Sequence, residues 1–275
     1  MTSTDEFIER EYNNRALVLE HPAFFARWDK DSEYVRRTLE CETGVPYGPD
    51  PRHRIDLFPA RAPRGTLVFI HGGYWRSLDK SMFSWLAAPY VAAGIGVAMP
   101  NYRLAPAVRI DHIVEDAVAA VNWLMLNGMK HRFATERVVV SGHSAGGHLT
   151  AAILATPWSR LQFDPARIVG GVPVSAIVDF EPLRRHSFNA DFFLDADAVE
   201  RLAVHAHAPT IAAPLVVAVG GSESSEFIRQ SRLLAGAWRD HLKSLLVLNG
   251  YNHFSVVDAF AERGQPLHEA ALGLF

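Results

Sequence analysis

The stretch VVVSGHSAGGHL, residues 138–149, runs an apolar, β-branched segment directly into Gly142-His143-Ser144-Ala145-Gly146. This is a GxSxG pattern, in which a serine sits on a sharp turn between a strand and a helix. The two glycines leave that turn the space it needs. Because glycine and serine are common, the pattern alone is a weak signal. It gains weight here because an apolar strand precedes it, a small-residue helix start follows it, and acidic residues and then a histidine come later in the chain.

The composition of the 275-residue chain favours a single large α/β domain spanning residues 1–275. Hydrophobic residues make up 49% and charged residues 21% of the sequence, which suits a chain with a well-buried core. The formal net charge is −3, and the 27 Lys and Arg residues are scattered rather than clustered. Without a basic surface, a nucleic-acid partner is not expected.

Cysteine usage and the N-terminal sequence bear on the compartment. Cys41 is the single cysteine, so it cannot form an internal disulfide. The N-terminal MTSTDEFIEREYNNR carries charges where a signal peptide would have an apolar core. No run approaches the roughly 18 apolar residues that indicate a membrane-spanning helix. We therefore expect a cytoplasmic protein with no membrane partner.

From Arg54 onward, short apolar segments alternate with longer segments of helical periodicity. This alternation is typical of a mostly parallel sheet with helices on both faces. Several short segments are apolar at every position, as strands buried on both faces are. Helices are predicted over 110–127 and 225–242, where apolar residues recur three and four positions apart. Strands are predicted over 53–59, 66–71, 95–99, 137–141, 168–174, 214–219 and 244–248.

Two segments do not follow the alternation. Residues 1–50 are rich in aromatic and charged side chains and indicate an N-terminal helical arm that ends in a turn-rich connection. Residues 179–209 lie between two predicted strands but are too long for a simple crossover. Since ligands of open α/β sheets bind outside the carboxyl ends of the strands, we expect this insertion to form a small cap over that edge.

Starting at Ser144, the candidate catalytic residues come in the chain order nucleophile, acid, base. One predicted strand ends near Gly220, and the next acidic residues are Glu223 and Glu226; the following strand leads to His253. Carboxyl ends of parallel strands share one edge of the sheet, so these groups are expected there together. Neutral His253 would take the proton of Ser144, while Glu223 would fix the ring tautomer and stabilise the imidazolium.

Two alternatives to this assignment stay open at the level of sequence. Asp179 follows an earlier predicted strand, from which some hydrolases recruit the acid. His205 and His207 form an HxH pair of the kind found in metal-dependent hydrolases, but a catalytic site needs three convergent protein ligands. No carboxylate neighbours this pair, so no metal is expected. The serine chemistry implies no organic cofactor either.

The segment HGGYW follows the predicted strand over 66–71. It matches the glycine-rich loop that supplies backbone N–H groups to a developing oxyanion. Gly73 and Tyr74 are the predicted donors, together with Ala145 after the nucleophile. Gly72 would allow the backbone to approach the reacting atoms closely.

Aromatic residues near these motifs are candidates for substrate contact, because ligand pockets are predominantly apolar. We predict contacts from Tyr74 and Trp75, with Tyr74 the stronger candidate. The cap contributes three further candidates, namely Phe188, Phe192 and Phe193. Phe25 and Trp28 in the N-terminal arm are weaker ones.

These motifs together resemble the arylformamidase, or kynurenine formamidase, branch of the α/β-hydrolases, which is related to the hormone-sensitive-lipase-like esterases. The HGG and GxSAGG motifs alone indicate only that wider esterase group. The tyrosine and tryptophan after HGG, and the EFxxQS segment after the acid, indicate the narrower branch. The matching segments are HGGYW at 71–75, NYRLAP at 101–106, GHSAGGHL at 142–149, EFIRQS at 226–231 and NHF at 252–254, with YNNR at 12–15 and YG at 47–48 in the arm.

The resemblance implies an α/β-hydrolase fold with Ser144 as nucleophile, His253 as base and Glu223 as acid. Glu223 departs from the familiar eukaryotic members, which have aspartate at this position. The longer side chain of glutamate leaves Glu226 as a rival for the acid. Glu226 matches the glutamate of the EFxxQS segment, which in the family lies beside the acid, so the resemblance favours Glu223.

For activity, the resemblance implies release of formate from N-formylkynurenine or a similar N-formyl aryl amine, as in tryptophan catabolism. A carboxylesterase acting on short-chain acyl esters is the alternative, followed by a hydrolase of another small aryl amide or carbamate. A noncatalytic receptor with this fold is disfavoured because serine, acid, histidine and oxyanion loop are all present. The partner is then a small aromatic amide or ester. Oligomeric state stays open, with a homodimer as the candidate assembly.

Overall fold

The computed structural model describes residues 4–275, which form an eight-stranded sheet flanked by helices. The strands are β1 (Glu42–Pro46), β2 (Arg54–Phe58), β3 (Gly65–Ile70), β4 (Ile95–Pro100), β5 (Val138–His143), β6 (Ile168–Val174), β7 (Leu215–Gly220) and β8 (Leu242–Leu248). The helices are α1 (Thr4–Tyr12), α2 (Asn14–Leu17), α3 (His21–Thr38), α4 (Ala87–Ala92), α5 (Ile110–Asn127), α6 (Ala145–Leu154), α7 (Glu181–Arg185), α8 (Asn189–Phe192), α9 (Ala196–Leu202), α10 (Ser225–Ala237), α11 (Val256–Ala261) and α12 (Pro266–Leu272). Short 3₁₀ helices cover Lys80–Leu86, Gly128–His131, Trp158–Arg160, Pro165–Arg167 and Val204–Ala206.

The strand order across the sheet is β1-β2-β4-β3-β5-β6-β7-β8. β2 pairs antiparallel with β1 and with β4, and every other neighbouring pair is parallel. The carboxyl ends of β3 to β8 therefore meet at one edge, where ligands of such sheets bind. This topology confirms the predicted α/β class with a mostly parallel sheet.

Packing on both faces of the sheet explains the apolar strands. Every residue of β3, β4, β5 and β7 is buried. Along β3, Val68 and Ile70 join one apolar cluster, which includes residues of α5, α6 and α10. Leu67 and Phe69 join the other, which includes residues of α3, α4, α11 and α12. Successive side chains thus point to opposite faces, as the geometry of a strand requires.

Apart from shifts of one or two residues at strand ends, one strand and one helix end differ from the sequence-based predictions. The sequence-based predictions omit β1, because its segment contains Gly44 and Pro46, which disfavour strands. Pairing with β2 at the edge of the sheet stabilises this strand. The helix predicted over 225–242 forms as α10 but ends at Ala237, since β8 already begins at Leu242.

No helix in the described part of the chain is both long and apolar enough to cross a membrane.

The predicted N-terminal arm contains three helices, α1 to α3, followed by β1; residues 1–3 lie outside the described residues. α3 lies against the 3₁₀ helix that follows β3, with the ring centroids of Trp28 and Phe83 5.3 Å apart. An ion pair of 2.7 Å between Arg27 and Asp258 also holds α3. The arm is therefore packed against the sheet domain along its length.

The insertion predicted over 179–209 contains α7, α8, α9 and the 3₁₀ helix Val204–Ala206. It contacts the arm directly. Arg185 forms an ion pair of 2.5 Å with Asp5, and the hydroxyl of Ser187 donates to Glu9 at 2.9 Å. Arm and insertion thus meet over the edge of the sheet where the parallel strands end.

Candidate active site

Ser144 occupies a strained turn between β5 and α6. Its backbone has φ 57° and ψ −115°, a left-handed conformation that non-glycine residues rarely adopt. Its N–H donates to the carbonyl of Val174 at 2.8 Å. A side chain at Gly142 would collide with the carbonyl of Gly146, and one at Gly146 with the carbonyl of Ile70. Both glycines of the GxSxG pattern are thus required by close backbone approach.

His253 and Glu223 form a buried hydrogen-bonded pair. The Nδ1–H of His253 donates to Oε2 of Glu223 at 2.6 Å. The other oxygen, Oε1, accepts from the N–H of Gly220 at 2.7 Å and from the hydroxyl of Ser175 at 2.5 Å. Three donors therefore fix the carboxylate, and a ring that donates from Nδ1 keeps the lone pair of Nε2 available as a base.

The two rival acids lie elsewhere. Glu226 accepts a hydrogen bond of 2.8 Å from the hydroxyl of Tyr12 and pairs with Arg229 at 2.8 Å. Asp179 pairs with the same arginine at 2.9 Å. Of the three carboxylates considered from sequence, Glu223 is the one in contact with His253.

Ser144 and His253 both line a cavity of about 290 Å³. Most of its wall is aromatic or apolar. The wall comes from five parts of the chain: the N-terminal arm, the segment after β3, the turn between β5 and α6, the insertion and the loop after β8. Its other lining residues are Asn13, Asn14, Arg15, Phe25, Trp28, Gly73, Tyr74, Arg76, Ser77, Leu78, Phe83, His143, Phe188 and Phe254. The cavity is therefore suited to a small ligand with an aromatic part.

The loop after β3 brings unpaired backbone N–H groups to this region. Gly73, Tyr74 and Trp75 have φ of 109°, 52° and 53°, so the chain turns sharply away from the sheet. Within residues 4–275, the N–H groups of Gly73, Tyr74 and Ala145 donate no hydrogen bond to another protein group. A side chain at Gly72 would lie 3.2 Å from Cβ of Ser144, so the loop passes directly beside the serine.

The predicted contacts of Tyr74 and Trp75 have different outcomes. Tyr74 lines the cavity, and its hydroxyl donates to the carbonyl of Tyr12 in the arm. Trp75 does not line it; the side chain is fully buried against Phe180 and His148. The structure thus corrects the prediction for Trp75, because positive φ values at both residues direct neighbouring side chains to different places.

The other aromatic candidates also separate. From the insertion, Phe188 lines the cavity, whereas Phe192 is buried in the core and Phe193 is exposed. Phe25 and Trp28, the weaker candidates from the arm, both line it. The sequence could not show which of these residues line the cavity, because this depends on contacts between the arm and distant parts of the chain.

The HxH pair is occupied by backbone contacts. A ring nitrogen of His205 lies 2.7 Å from the carbonyl of Val178, and one of His207 lies 3.1 Å from that of Glu200. Across the described residues, no three potential ligands among His, Cys, Asp and Glu converge as a metal site would require.

Sequence reasoning missed six polar residues at or near the cavity. Five line it, namely Asn13, Asn14, Arg15, Arg76 and Ser77, and Ser175 binds Glu223. The YNNR segment of the arm carried a signal through its resemblance to known sequences, but nothing in it indicated that it would line one cavity with Ser144. Ser175 has φ 49°, which a sequence pattern does not reveal.

Three histidines near the site are buried and held neutral. Burial lowers the pKa of His71 to about 4 and that of His148 to about 3. Burial, together with the neighbouring His253, lowers the pKa of His143 well below its usual range. In an unfolded chain each ring would titrate near 6.5. Below that pH the unfolded state binds more protons than the folded state, so the free energy of unfolding falls as the pH falls.

We expect His148→Gln to reduce this acid sensitivity. Between pH 6 and pH 5 the wild-type free energy of unfolding should fall by about 1 kcal/mol more than that of the variant, because the variant has one buried neutral ring fewer. Urea unfolding at the two pH values measures the difference. Equal changes in the two proteins would show that His148 is protonated alike in the folded and unfolded states.

A serine on a strand-to-helix elbow, at the carboxyl edge of a mostly parallel sheet and beside a histidine paired with an acid, defines the α/β-hydrolase class. Residues 67–244 match the family model described as alpha/beta hydrolase fold, and the chain belongs to that family.

Within this family the chain is similar to kynurenine formamidases. The protein from Salmo salar is 26% identical over 252 residues, which cover 84% of this chain and 81% of that protein. The protein from Danio rerio is 27% identical over 251 residues, covering 88% and 84%. These matches confirm the resemblance to the kynurenine formamidase branch.

Solved structures agree with the fold. A Silicibacter sp. TM1040 protein, provisionally named a thioesterase, has a TM-score of 0.88 and 33% identity, with 96% of this chain and 98% of that chain covered. Esterase B from Lactobacillus rhamnosis, solved with a tributyrin phosphonate inhibitor, has a TM-score of 0.70 at 19% identity, covering 95% and 94%. The chain is thus a hydrolase of the α/β family.

Proposed function

We propose that the protein is a serine hydrolase that cleaves an N-formyl aryl amine through a formyl-enzyme, with N-formylkynurenine as the favoured substrate. One observation carries the proposal: Ser144, on its strained elbow, lines the same aromatic cavity as His253, whose ring is paired with buried Glu223. This is the constellation of an activated serine nucleophile.

In the proposed first step, Nε2 of His253 takes the hydroxyl proton of Ser144 while Oγ attacks the formyl carbon. The carbonyl oxygen becomes an oxyanion, for which the free N–H groups of Gly73, Tyr74 and Ala145 are the proposed donors. The imidazolium then protonates the aryl nitrogen as the C–N bond breaks. The free aryl amine leaves, and the formyl group remains on Ser144 as an ester.

In the second step, water replaces the amine. His253 takes a proton from the water as its oxygen attacks the formyl ester, and the same donors hold the second oxyanion. The imidazolium returns the proton to Oγ of Ser144, and formate leaves. Glu223 holds the ring orientation in both steps through the 2.6 Å hydrogen bond to Nδ1.

The size and lining of the cavity support a small acyl group and an aryl amine. A volume of about 290 Å³ is at the lower end for ligand pockets. Phe25, Trp28, Tyr74 and Phe188 provide aromatic surfaces for a substrate ring. The names of the Salmo salar and Danio rerio relatives support formamide hydrolysis by this chain.

A carboxylesterase acting on short-chain acyl esters is the second candidate. The observation that favours it is the similarity to the Silicibacter protein, whose provisional name denotes thioester cleavage and which covers 96% of this chain. The same serine, histidine and N–H donors would serve an ester equally well.

Steady-state assays of N-formylkynurenine and p-nitrophenyl acetate, run side by side, distinguish the two candidates. We expect kcat/KM for the formamide to exceed about 10⁴ M⁻¹s⁻¹, the low end for typical enzymes, and to exceed that for the ester. If the ester is preferred by orders of magnitude, the esterase assignment replaces the formamidase.

A further inference from the structure

The N-terminal arm supplies a polar end to the cavity. Asn14 and Arg15, at the start of α2, line the same cavity as Ser144 and His253. The arm is held in place by its own contacts: the hydroxyl of Tyr12 receives a hydrogen bond of 2.7 Å from Gln230 and donates to Glu226 at 2.8 Å. These contacts fix the arm immediately before the two polar residues that line the cavity.

Arg15 is a cation without an anionic partner. Its Nη2 lies 3.4 Å from the hydroxyl oxygen of Ser77, and its guanidinium lies 5.6 Å from the ring centroid of Phe25. Among the described residues it makes no ion pair with a carboxylate. Arg76, the other arginine of the cavity wall, pairs with Asp191 at 2.6 Å and lies 3.8 Å from the centroid of Phe188. Of the two, Arg15 is the one available to an anionic ligand.

Asn14 adds a second polar group that lacks a partner. The residue is 4% exposed, and its Nδ2 makes no hydrogen bond in the described part of the chain. A buried amide N–H₂ without an acceptor destabilises the folded protein, because the desolvation of the donor is not compensated. An acceptor oxygen of a ligand at this end of the cavity would satisfy it.

Hydrogen bonds connect this end of the cavity to the loop beside Ser144. Nη2 of Arg15 donates to the hydroxyl oxygen of Ser77, which in turn donates at 2.9 Å to the carbonyl of Gly73 in that loop. Two consecutive hydrogen bonds therefore link the guanidinium to the loop that is proposed to hold the oxyanion. Since Asn14, Arg15 and Ser144 line one cavity of about 290 Å³, a ligand that fills this cavity meets all three.

We propose that Arg15 and Asn14 form a carboxylate subsite that binds the carboxylate at the end of the substrate's side chain and so determines the preference for anionic over uncharged aryl formamides. This inference rests on the proposed function and names the residues that recognise its substrate. The planar guanidinium binds carboxylates through paired N–H donors. Uncharged aryl formamides would react at the same serine without this contact.

The test compares N-formylkynurenine with 2-formamidoacetophenone, which keeps the formamide, ring and ketone but lacks the amino-acid group. The measured quantity is the ratio of the two kcat/KM values. In Arg15→Gln we expect this ratio to fall by about 10- to 100-fold, because hydrogen bonds to charged groups are among the strong ones. Arg15→Lys, which keeps the charge, should recover part of the ratio. Arg37→Gln, an exposed arginine on α3 of the same arm, is the matched control.

A ratio that is the same in Arg15→Gln and wild type would overturn the subsite. Failure of the proposed function gives a different result, namely that the wild type hydrolyses neither formamide. In that case the ratio is measured on two esters, 3-(2-acetoxyphenyl)propanoate and 2-propylphenyl acetate, which differ in the carboxylate. A preference for the anionic ester that Arg15→Gln removes would support the subsite, and its persistence would overturn it.

Discussion

Replacing Ser144 by alanine is expected to lower kcat for the preferred substrate by about 10⁴- to 10⁶-fold, the loss seen when a serine nucleophile is removed from a working triad. Alanine keeps Cβ and the strained backbone of the elbow but has no Oγ to attack the formyl carbon. The free N–H groups and the cavity remain, so a small residual rate over the uncatalysed reaction should persist. Steady-state assays over a range of enzyme concentrations measure the change.

The control for this variant is Ser81→Ala, which alters a serine outside the cavity wall. Urea unfolding should show that Ser144→Ala is folded, because the substitution removes one hydroxyl from a site that stays otherwise intact. If folded Ser144→Ala retains more than about one hundredth of the wild-type kcat, the nucleophile is another group.

Replacing Glu223 by glutamine should lower kcat by about 10³- to 10⁴-fold, as amide substitution of a triad acid does. The carboxylate accepts three hydrogen bonds, from His253, Gly220 and Ser175. A glutamine amide has a single acceptor oxygen, so its N–H₂ group must face one of these donors. If it faces His253, it favours the wrong ring tautomer; if it faces Gly220, two N–H groups oppose each other.

Glu226→Gln is the matched comparison, since it makes the same chemical change three residues away. The single amide oxygen of glutamine can still accept from the hydroxyl of Tyr12, whereas the charge toward Arg229 and the second acceptor oxygen for Arg229 Nε are lost. We expect its kcat to stay within about tenfold of wild type, because ion pairs of partly exposed groups contribute little. A heavy loss in Glu226→Gln, with Glu223→Gln nearly unaffected, would reverse the assignment of the acid.

The features that sequence predicts well are those set by local backbone sterics. The GxSxG pattern predicts a turn in which Gly142 and Gly146 are needed, and the structure places other carbonyls where their side chains would be. The short apolar strand segments, which alternate with helical segments, likewise predict a mostly parallel sheet. Strands of such a sheet are covered by helices on both faces and are therefore apolar at nearly every position. These properties depend on neighbours in the chain.

The features that sequence predicts poorly depend on distant contacts. Trp75 follows Tyr74 directly, yet successive positive φ values send one ring to the core and the other to the cavity wall. The arm reaches the site through contacts such as that between Tyr12 and Glu226, which are 214 positions apart. No local pattern could assign Asn14 or Arg15 to the same cavity as Ser144.

Covalent acylation of Ser144 can be detected by labelling the protein with a fluorophosphonate and locating the adduct by mass spectrometry of its peptides. Such a probe forms a stable bond with an activated serine and mimics the tetrahedral intermediate. We expect one rapid adduct, on Ser144, whose formation parallels the loss of activity and is slowed by substrate. An adduct on a different residue that accompanies inactivation, or a fully active enzyme that forms none, would contradict acylation of Ser144.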